Sequence, residues 1–188
     1  FFMRIFTCQN CGHLLHFENV VCMQCGMTLG FLPEELTLSA LDLAPEGDQW
    51  TARADGAAWR QGANRADAHC NWMVPADGAE VYCAACRHNR TIPDLTQGNN
   101  GPLWGKIEAA KHRLFYSLLR LGLPLENRAD NPAHGMAFDF LADSPESHGE
   151  GVMTGHDNGL ITLALKEADD AVREQVRGVT IELAPLCL

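Results

Sequence analysis

Seven of the eight cysteines sit where sulfur can hold a metal. Cys8 and Cys11 form one Cys-x-x-Cys pair, with Gly12 directly after it. Cys22 and Cys25 form a second, followed by Gly26, and ten residues separate the pairs. A third pair, Cys83 and Cys86, follows Cys70 by twelve intervening residues. This spacing sets two thiolates on one tight turn, and two such turns make a tetrahedral four-sulfur cage for zinc. Glycine after the second cysteine suits the turn, because it accepts a positive φ at no steric cost. Cys8, Cys11, Cys22 and Cys25 therefore predict a closed, structural zinc site with no position left for water. Cys70, Cys83 and Cys86 predict a second zinc site that is one ligand short. His69 is the nearest candidate, although neighbours on a strand point to opposite faces. His88 and Asp67 are the other options. Three thiolates donate enough charge to make the ion a poor Lewis acid, so this site also reads as structural. A redox or zinc-sensing use of Cys70, Cys83 and Cys86 is the alternative chemistry, and it predicts one zinc lost readily to mild oxidant while the other stays.

Other residue sets carry less. Glu108 and His112 lie one turn apart on a predicted helix and read as a surface ion pair. His156 and Asp157 read as hairpin-turn residues chosen for backbone geometry. Cys187 reads as incidental. No Ser-His-Asp set can be assembled, and neither glycine-rich phosphate loop is present. The sequence thus nominates no catalytic residue and no organic-cofactor site.

The elements that must position the cysteines are short. Residues 4–31 read as a β-rich ribbon, with a strand at Leu14–Phe17, a turn at Glu18-Asn19, and Val20-Val21 leading into the second knuckle. A unit this small cannot bury enough apolar surface alone, so zinc must supply folding free energy on the order of 10–16 kcal/mol. Residues 37–60 suggest loops with one or two strands near Trp50 and Trp59. Residues 61–97 hold the second cysteine cluster, with a strand at Asn71–Val74 between its ligands. Gln97–Pro102 reads as a linker. A helix follows over Leu103–Leu121, with Trp104, Ile107, Leu114, Leu118 and Leu121 at helical spacing and Phe115 and Leu119 widening the stripe. Pro102 suits its first position, and Gly122 with Pro124 stops it. Met136, Phe138 and Phe140 alternate as a strand. Val152–Thr154 and Leu160–Leu165 flank an Asn158-Gly159 hairpin turn. A second helix is predicted over Glu167–Arg177, with acids early and arginines late to match the helix dipole.

Composition bounds the partners. The 188 residues carry a net charge of −10, and the thiolates of two zinc sites would move the total to roughly −13. Residues 61–120 alone are net basic, with seven basic and five acidic side chains. An acidic chain is poorly suited to nucleic acid, whose nonspecific binding rests on cationic contacts to phosphate. No apolar run is long enough for a membrane span, and the first six residues are too few for an apolar signal core. Met3 reads as the natural start. Paired cysteines without a secretory signal favour metal over disulfide and a reducing, cytoplasmic setting.

Taken together the motifs resemble a bacterial family of zinc-ribbon-containing, zinc-binding metallopeptidases. The resemblance spans about residues 3–180. It rests on Phe6-x-Cys8-x-x-Cys11-Gly12, Phe17-Glu18-Asn19, Cys22-x-x-Cys25-Gly26 and Leu29-Gly30-Phe31-Leu32-Pro33. It continues through Cys70-Asn71-Trp72, the segment from Cys83 to Leu95, Lys111-His112-Arg113-Leu114, Phe138-Asp139-Phe140-Leu141, Thr154–Thr162 and Glu167-Ala168-Asp169-Asp170. The resemblance implies a four-cysteine second cluster whose first cysteine would fall at Gly62. It also implies a downstream helix carrying His-Glu-x-x-His, two zinc-binding histidines with a glutamate general base. This sequence contains no such motif. The family pattern stops after Val179-Thr180, and Ile181–Leu188 reads like an unrelated tail, as a truncation or frameshift would leave. In a zincin-like domain, strand Leu160–Leu165 would be the edge strand beside the active cleft.

The expectation is an α+β chain. Residues 1–97 form N-terminal tandem zinc ribbons, site one at 4–31 and site two at 61–97. Residues 98–188 form a partial zincin-like α+β domain. Such a chain binds zinc structurally and does not hydrolyse peptides as it stands. The alternative is an interaction module for a protein or peptide partner, with self-association through the exposed apolar face of the partial domain.

Overall fold

In the computed structural model, residues 4–45, 47–67, 70–143 and 151–175 are described. The chain is α+β and forms two compact units. One comprises Phe1–Arg87 with Lys111–Leu125, the other His88–Ala110 with Glu126–Leu188. No helix among the described residues is long and apolar enough to cross a membrane.

The first unit opens with a two-stranded ribbon, β1 (Phe6–Thr7) and β2 (Leu14–Leu15), paired antiparallel with Phe6 opposite Leu15. Five antiparallel strands follow in order: β3 (Thr28–Leu32), β4 (Thr37–Leu43), β5 (Gln49–Ala52), β6 (Ala58–Gln61) and β7 (Met73–Pro75). Where loops with one or two strands were expected over 37–60, the chain forms three strands of this meander. The sheet curls back on itself. The Phe31 N–H donates to the Asn71 carbonyl at 2.6 Å, and Phe31 bridges Trp72 in parallel.

This curl explains why β3 is buried at four of its five positions. Successive side chains point to opposite faces. Leu32 joins Leu41, Ala52, Trp59 and Met73 in one core, with Trp50 packed against it. Phe31, one residue earlier, enters an aromatic cluster with Trp72 (centroids 4.7 Å apart), Phe17 (5.0 Å) and Tyr116 (5.8 Å). Gly30 faces the first core, where a Cβ would lie 2.5 Å from Met73 Cγ and 2.9 Å from Leu41 Cδ1.

Helix α1 runs from Asn100 to Arg120. It starts before Pro102, within the segment expected as linker. Its C-terminus is a Schellman motif: Gly122 at φ 65° donates to Leu119 O, and the Leu123 N–H donates to Leu118 O. The buried face is not the apolar stripe read from periodicity. Trp104, Phe115 and Tyr116 are buried, but so are Glu108, Lys111 and His112, while Leu114 and Leu121 are exposed.

The second unit contains a four-stranded mixed sheet in the order β10 (Gly155–Asp157), β11 (Leu160–Ala164), β9 (Ala137–Leu141), β8 (Asn89–Thr91). β8 and β11 both run parallel to β9, and β10 pairs antiparallel with β11. Trp104 packs edge-on against Phe140, and Arg90 pairs with the buried Asp139. The hairpin turn has positive φ at both Asn158 and Gly159, which fits a type I′ turn. His156 and Asp157 lie in β10 rather than in the turn, because the strand starts later than Val152–Thr154. β11 is interior to the sheet, so the edge position expected for Leu160–Leu165 falls to β10. The last helix begins at residue 170, not 167. Asp169 caps it by accepting the Ala171 N–H at 2.9 Å, and residues 165–168 form a 3-10 turn. Its end, and the tail Ile181–Leu188, lie outside the described residues.

The crowding at Gly30 is testable. Gly30→Ala should lower the urea midpoint of the zinc-loaded protein by an amount equivalent to about 1–3 kcal/mol through overpacking. An unchanged midpoint would show that Met73 yields without cost.

Candidate metal centres

The first two knuckles repeat one backbone pattern. The Gly12 N–H donates to Cys8 O at 2.9 Å and the Cys8 N–H to His13 O at 2.9 Å; Gly26 with Cys22, and Cys22 with Met27, do the same at 2.8 and 2.9 Å. Gly12 and Gly26 have φ of 73° and 74°, the left-handed geometry that lets the chain turn away after the second sulfur. The knuckle from Cys8 to Cys11 is fastened to the sheet by Gln9. Its side-chain amide donates to Leu38 O and its oxygen accepts the Ala40 N–H. Arg53 bridges Asp42 and Asn10 on the same side, and its guanidinium holds the Asp42 carboxyl below its ordinary range.

Cys8, Cys11, Cys22 and Cys25 converge so that their sulfurs lie within 4.8 Å of one another. Cys8 and Cys25 sulfurs are 3.7 Å apart, and those of Cys11 and Cys22 3.6 Å. These spans are too long for disulfides, whose S–S bond is about 2.05 Å. They match the S···S edge of about 3.8 Å that a tetrahedron with Zn–S near 2.3 Å requires.

The second cluster gathers Cys70, Cys83, Cys86 and His112. Cys70 to Cys83 is 3.6 Å and Cys86 to Cys70 is 3.9 Å. His112 Nε2 lies 3.3, 4.0 and 3.6 Å from the sulfurs of Cys70, Cys83 and Cys86. The corresponding tetrahedral S···N edge is about 3.6 Å. None of the four residues is more than 5% exposed. The His112 ring is tilted beside the buried Trp72 indole, centroids 5.5 Å apart. Arg65 frames the site, donating to the carbonyls of Leu29, Cys70 and Val20.

Among the described residues His112, not His88 or Asp67, completes the second donor set. His69 lies outside the described residues. His112 and Glu108 are not at the surface: Glu108 is fully buried and accepts a 2.6 Å hydrogen bond from Asn89 Nδ2. Sequence reasoning missed His112 because it stands 26 residues beyond Cys86, where no ligand-spacing rule reaches. Gly62 lies against the same site: a Cβ there would be 3.4 Å from the Cys83 nitrogen and 3.7 Å from its Cβ. Cys187 lies outside the described residues.

Electrostatics fit a cation at both places. At site one, hydrogen bonds from the Asn10 side chain and the Met27 backbone draw Cys25 down to about 6. The His13 backbone also draws Cys11 down, but desolvation and the thiols of Cys25, Cys22 and Cys8 outweigh it and leave Cys11 at about 12. At site two, burial works against the Cys83 thiolate. The Cys70 and Cys86 thiols and the Cys86 and Ala85 backbone overcome that and hold it well below the ordinary thiol range. Cys83 and Cys86 push Cys70 well above it. Several thiolates in one buried pocket repel and are poorly solvated. A divalent ion removes both penalties, and soft sulfur with one imidazole is a zinc donor set.

Comparison with known proteins agrees. Residues 5–97 match a zinc-ribbon domain family. Residues 100–183 match the family described as "Putative zinc-binding metallo-peptidase". The pairing is the one the motifs led us to expect. The chain is also 39% identical over 175 residues to uncharacterised proteins of Mycobacterium bovis and Mycobacterium tuberculosis, an alignment that covers 93% of this chain and 47% of each relative. The chain therefore spans about half the length of the curated relatives it matches. No solved structure matches it.

Two outcomes follow for the ligand sets. His112→Ala should weaken zinc at site two by more than about a hundredfold, since even outer-shell partners cost 10–100-fold. In the cobalt-substituted protein it should abolish the spectrum of a three-sulfur, one-nitrogen centre and leave that of a four-sulfur centre. Retention of both metals with unchanged spectra would return the fourth position to His69. Zinc takes thiolates only, so protons compete with it and affinity falls with pH. At site one chelator competition should show that fall steepening below pH about 6, where Cys25 too must lose a proton to bind.

Proposed function

We propose that this chain is a structural zinc-binding module, the N-terminal part of a zinc metallopeptidase-family protein, and that it is noncatalytic as it stands. The observation that carries this reading is the closure of both donor sets. Each cluster offers four protein ligands, and sulfur supplies seven of the eight. Catalytic zinc keeps an open position for water. The sequence supplies no His-Glu-x-x-His from which an open site could be built. Zinc-dependent peptide hydrolysis is then the proposed activity of the longer protein, with the zinc-ribbon part, residues 1–97, as its scaffold and residues 98–188 as the beginning of its metallopeptidase-like part, in a cytoplasmic setting.

A second reading has its own support. Ile5, Leu14 and Met23 are 60%, 63% and 85% exposed on the site-one ribbon, which suits an interaction module for a protein partner. Net charge argues against nucleic acid.

The test is native mass spectrometry together with a peptidase assay on an unfolded protein substrate. Two bound zinc ions with no zinc-dependent cleavage is the expected result. Cleavage that disappears with chelator and returns with zinc would overturn the noncatalytic reading. Loss of either zinc on buffer exchange at neutral pH would count against a structural role.

A further inference from the structure

The two clusters differ in access to solvent. At site two every donor is buried. At site one Cys8 and Cys22 are buried and Cys25 is half-buried, but Cys11 is exposed. Its sulfur stands 3.6 Å from that of Cys22.

We propose that Cys11 is an oxidation site for peroxide-class oxidants, and that its reaction forms a Cys11–Cys22 disulfide and empties site one alone. The proposal rests on the reading that site one holds zinc. Oxidation of thiolates follows their exposure as well as their ionisation, and a zinc ligand is already a thiolate. Burial thus favours Cys11 over Cys70, Cys83 and Cys86, the residues for which the sequence left a redox use as an alternative.

The chemistry balances with hydrogen peroxide as the co-reactant. The Cys11 sulfur attacks one peroxide oxygen and the O–O bond breaks. One oxygen leaves as hydroxide and takes a solvent proton to become water. Cys11 is then a sulfenic acid. The Cys22 sulfur attacks the Cys11 sulfur, the S–O bond breaks, and the second oxygen leaves as water with another solvent proton. Two sulfurs have given up two electrons and one peroxide has become two waters. Only Cys8 and Cys25 then remain as thiolates, too few to close a four-ligand site, and the ion is released. The two sulfurs need to approach by less than about 2 Å to reach bonding distance. The consequence is structural: the ribbon carries Phe6 and Phe17, both buried against Phe31, and without metal its two-residue strands have little else to hold them.

The experiment uses the full chain with Cys187→Ser, zinc-loaded. Native mass is taken first. Fewer than two bound zinc ions, with Cys8 and Cys22 open to alkylation in the folded protein, overturns the zinc reading at this stage, and the inference with it. Hydrogen peroxide is then added, released zinc is followed with a chromogenic chelator, and thiols are alkylated and mapped. One zinc per chain should leave at least about tenfold faster than the other, given the contrast in exposure. The disulfide should map to Cys11 and Cys22, with Cys70, Cys83 and Cys86 alkylated only after unfolding. Oxidation of the exposed Met23 adds oxygen, whereas the disulfide removes hydrogen, so mass separates the two. Release of both ions together, earlier release from site two, or a disulfide lacking Cys11 overturns the proposal. Cys11→His keeps a four-donor set without the exposed sulfur. It should bind two zinc ions and lose the fast phase; two bound ions with the fast phase intact overturns the proposal as well.

Discussion

The structure depends on one electrostatic constraint. Seven sulfurs are gathered into two groups, each with its donor atoms within 4.8 Å of one another, and most of them are out of water. As thiolates they repel one another and lose hydration. As thiols they are weak donors that give little back for the entropy of holding them together. A divalent cation at each centre reverses the balance, because attraction to four donors at once exceeds their mutual repulsion. The ribbon, with strands of two residues, has no comparable alternative source of stability. The five-stranded meander does, through Leu32, Leu41, Ala52, Trp59 and Met73. Zinc is thus the condition for the ribbon and a fastening for the meander.

Site two also explains why α1 buries His112. A helix that buried only apolar side chains could pack against the Phe17, Phe31 and Trp72 cluster, and Tyr116 does so. It could not supply a ligand. His112 does, one turn before Tyr116, and the helix accepts a polar residue at a buried position because the metal site takes up the imidazole. The curl of the meander serves the same centre. The pairing of Phe31 with Asn71 and Trp72 fixes the strand that follows Cys70, and the Asn71 side chain donates to the carbonyls of Phe17 and Asn19.

Legibility in the sequence tracked distance along the chain. The knuckles were readable because Cys-x-x-Cys followed by glycine is a local code, and the Asn158-Gly159 turn was readable for the same reason. The strand around Ala137–Leu141 showed through its alternating aromatics. His112 was hidden by two effects. Its partners lie 26 to 42 residues away, and periodicity counts apolar residues, whereas the buried face of α1 carries Glu108, Lys111 and His112. The same bias placed Leu114 and Leu121 inside when they are exposed. Sheet order was hidden too. Nothing in Leu160–Ala164 distinguishes an interior strand from an edge strand, because that depends on where the exposed three-residue β10 pairs. β8 escaped notice because Asn89–Thr91 is short and polar, and its pairing partner lies beyond the whole of α1.

The two centres also differ in what their closure accomplishes. The donors of site one span 17 residues, those of site two up to 42. In loop-closure terms the difference is small, roughly 0.8 kcal/mol from a logarithmic dependence on length. Against the 10–16 kcal/mol scale of a structural zinc site that term decides nothing. What differs is the element captured. Site one closes a ribbon on itself, and its failure would release one ribbon. Site two ties the second half of α1 to the strands and knuckle that carry its cysteines, so its failure would release the helix from that core. A centre with that role is best kept dry, and it is. A centre whose loss is local can tolerate an exposed sulfur, and Cys11 is where that tolerance lies.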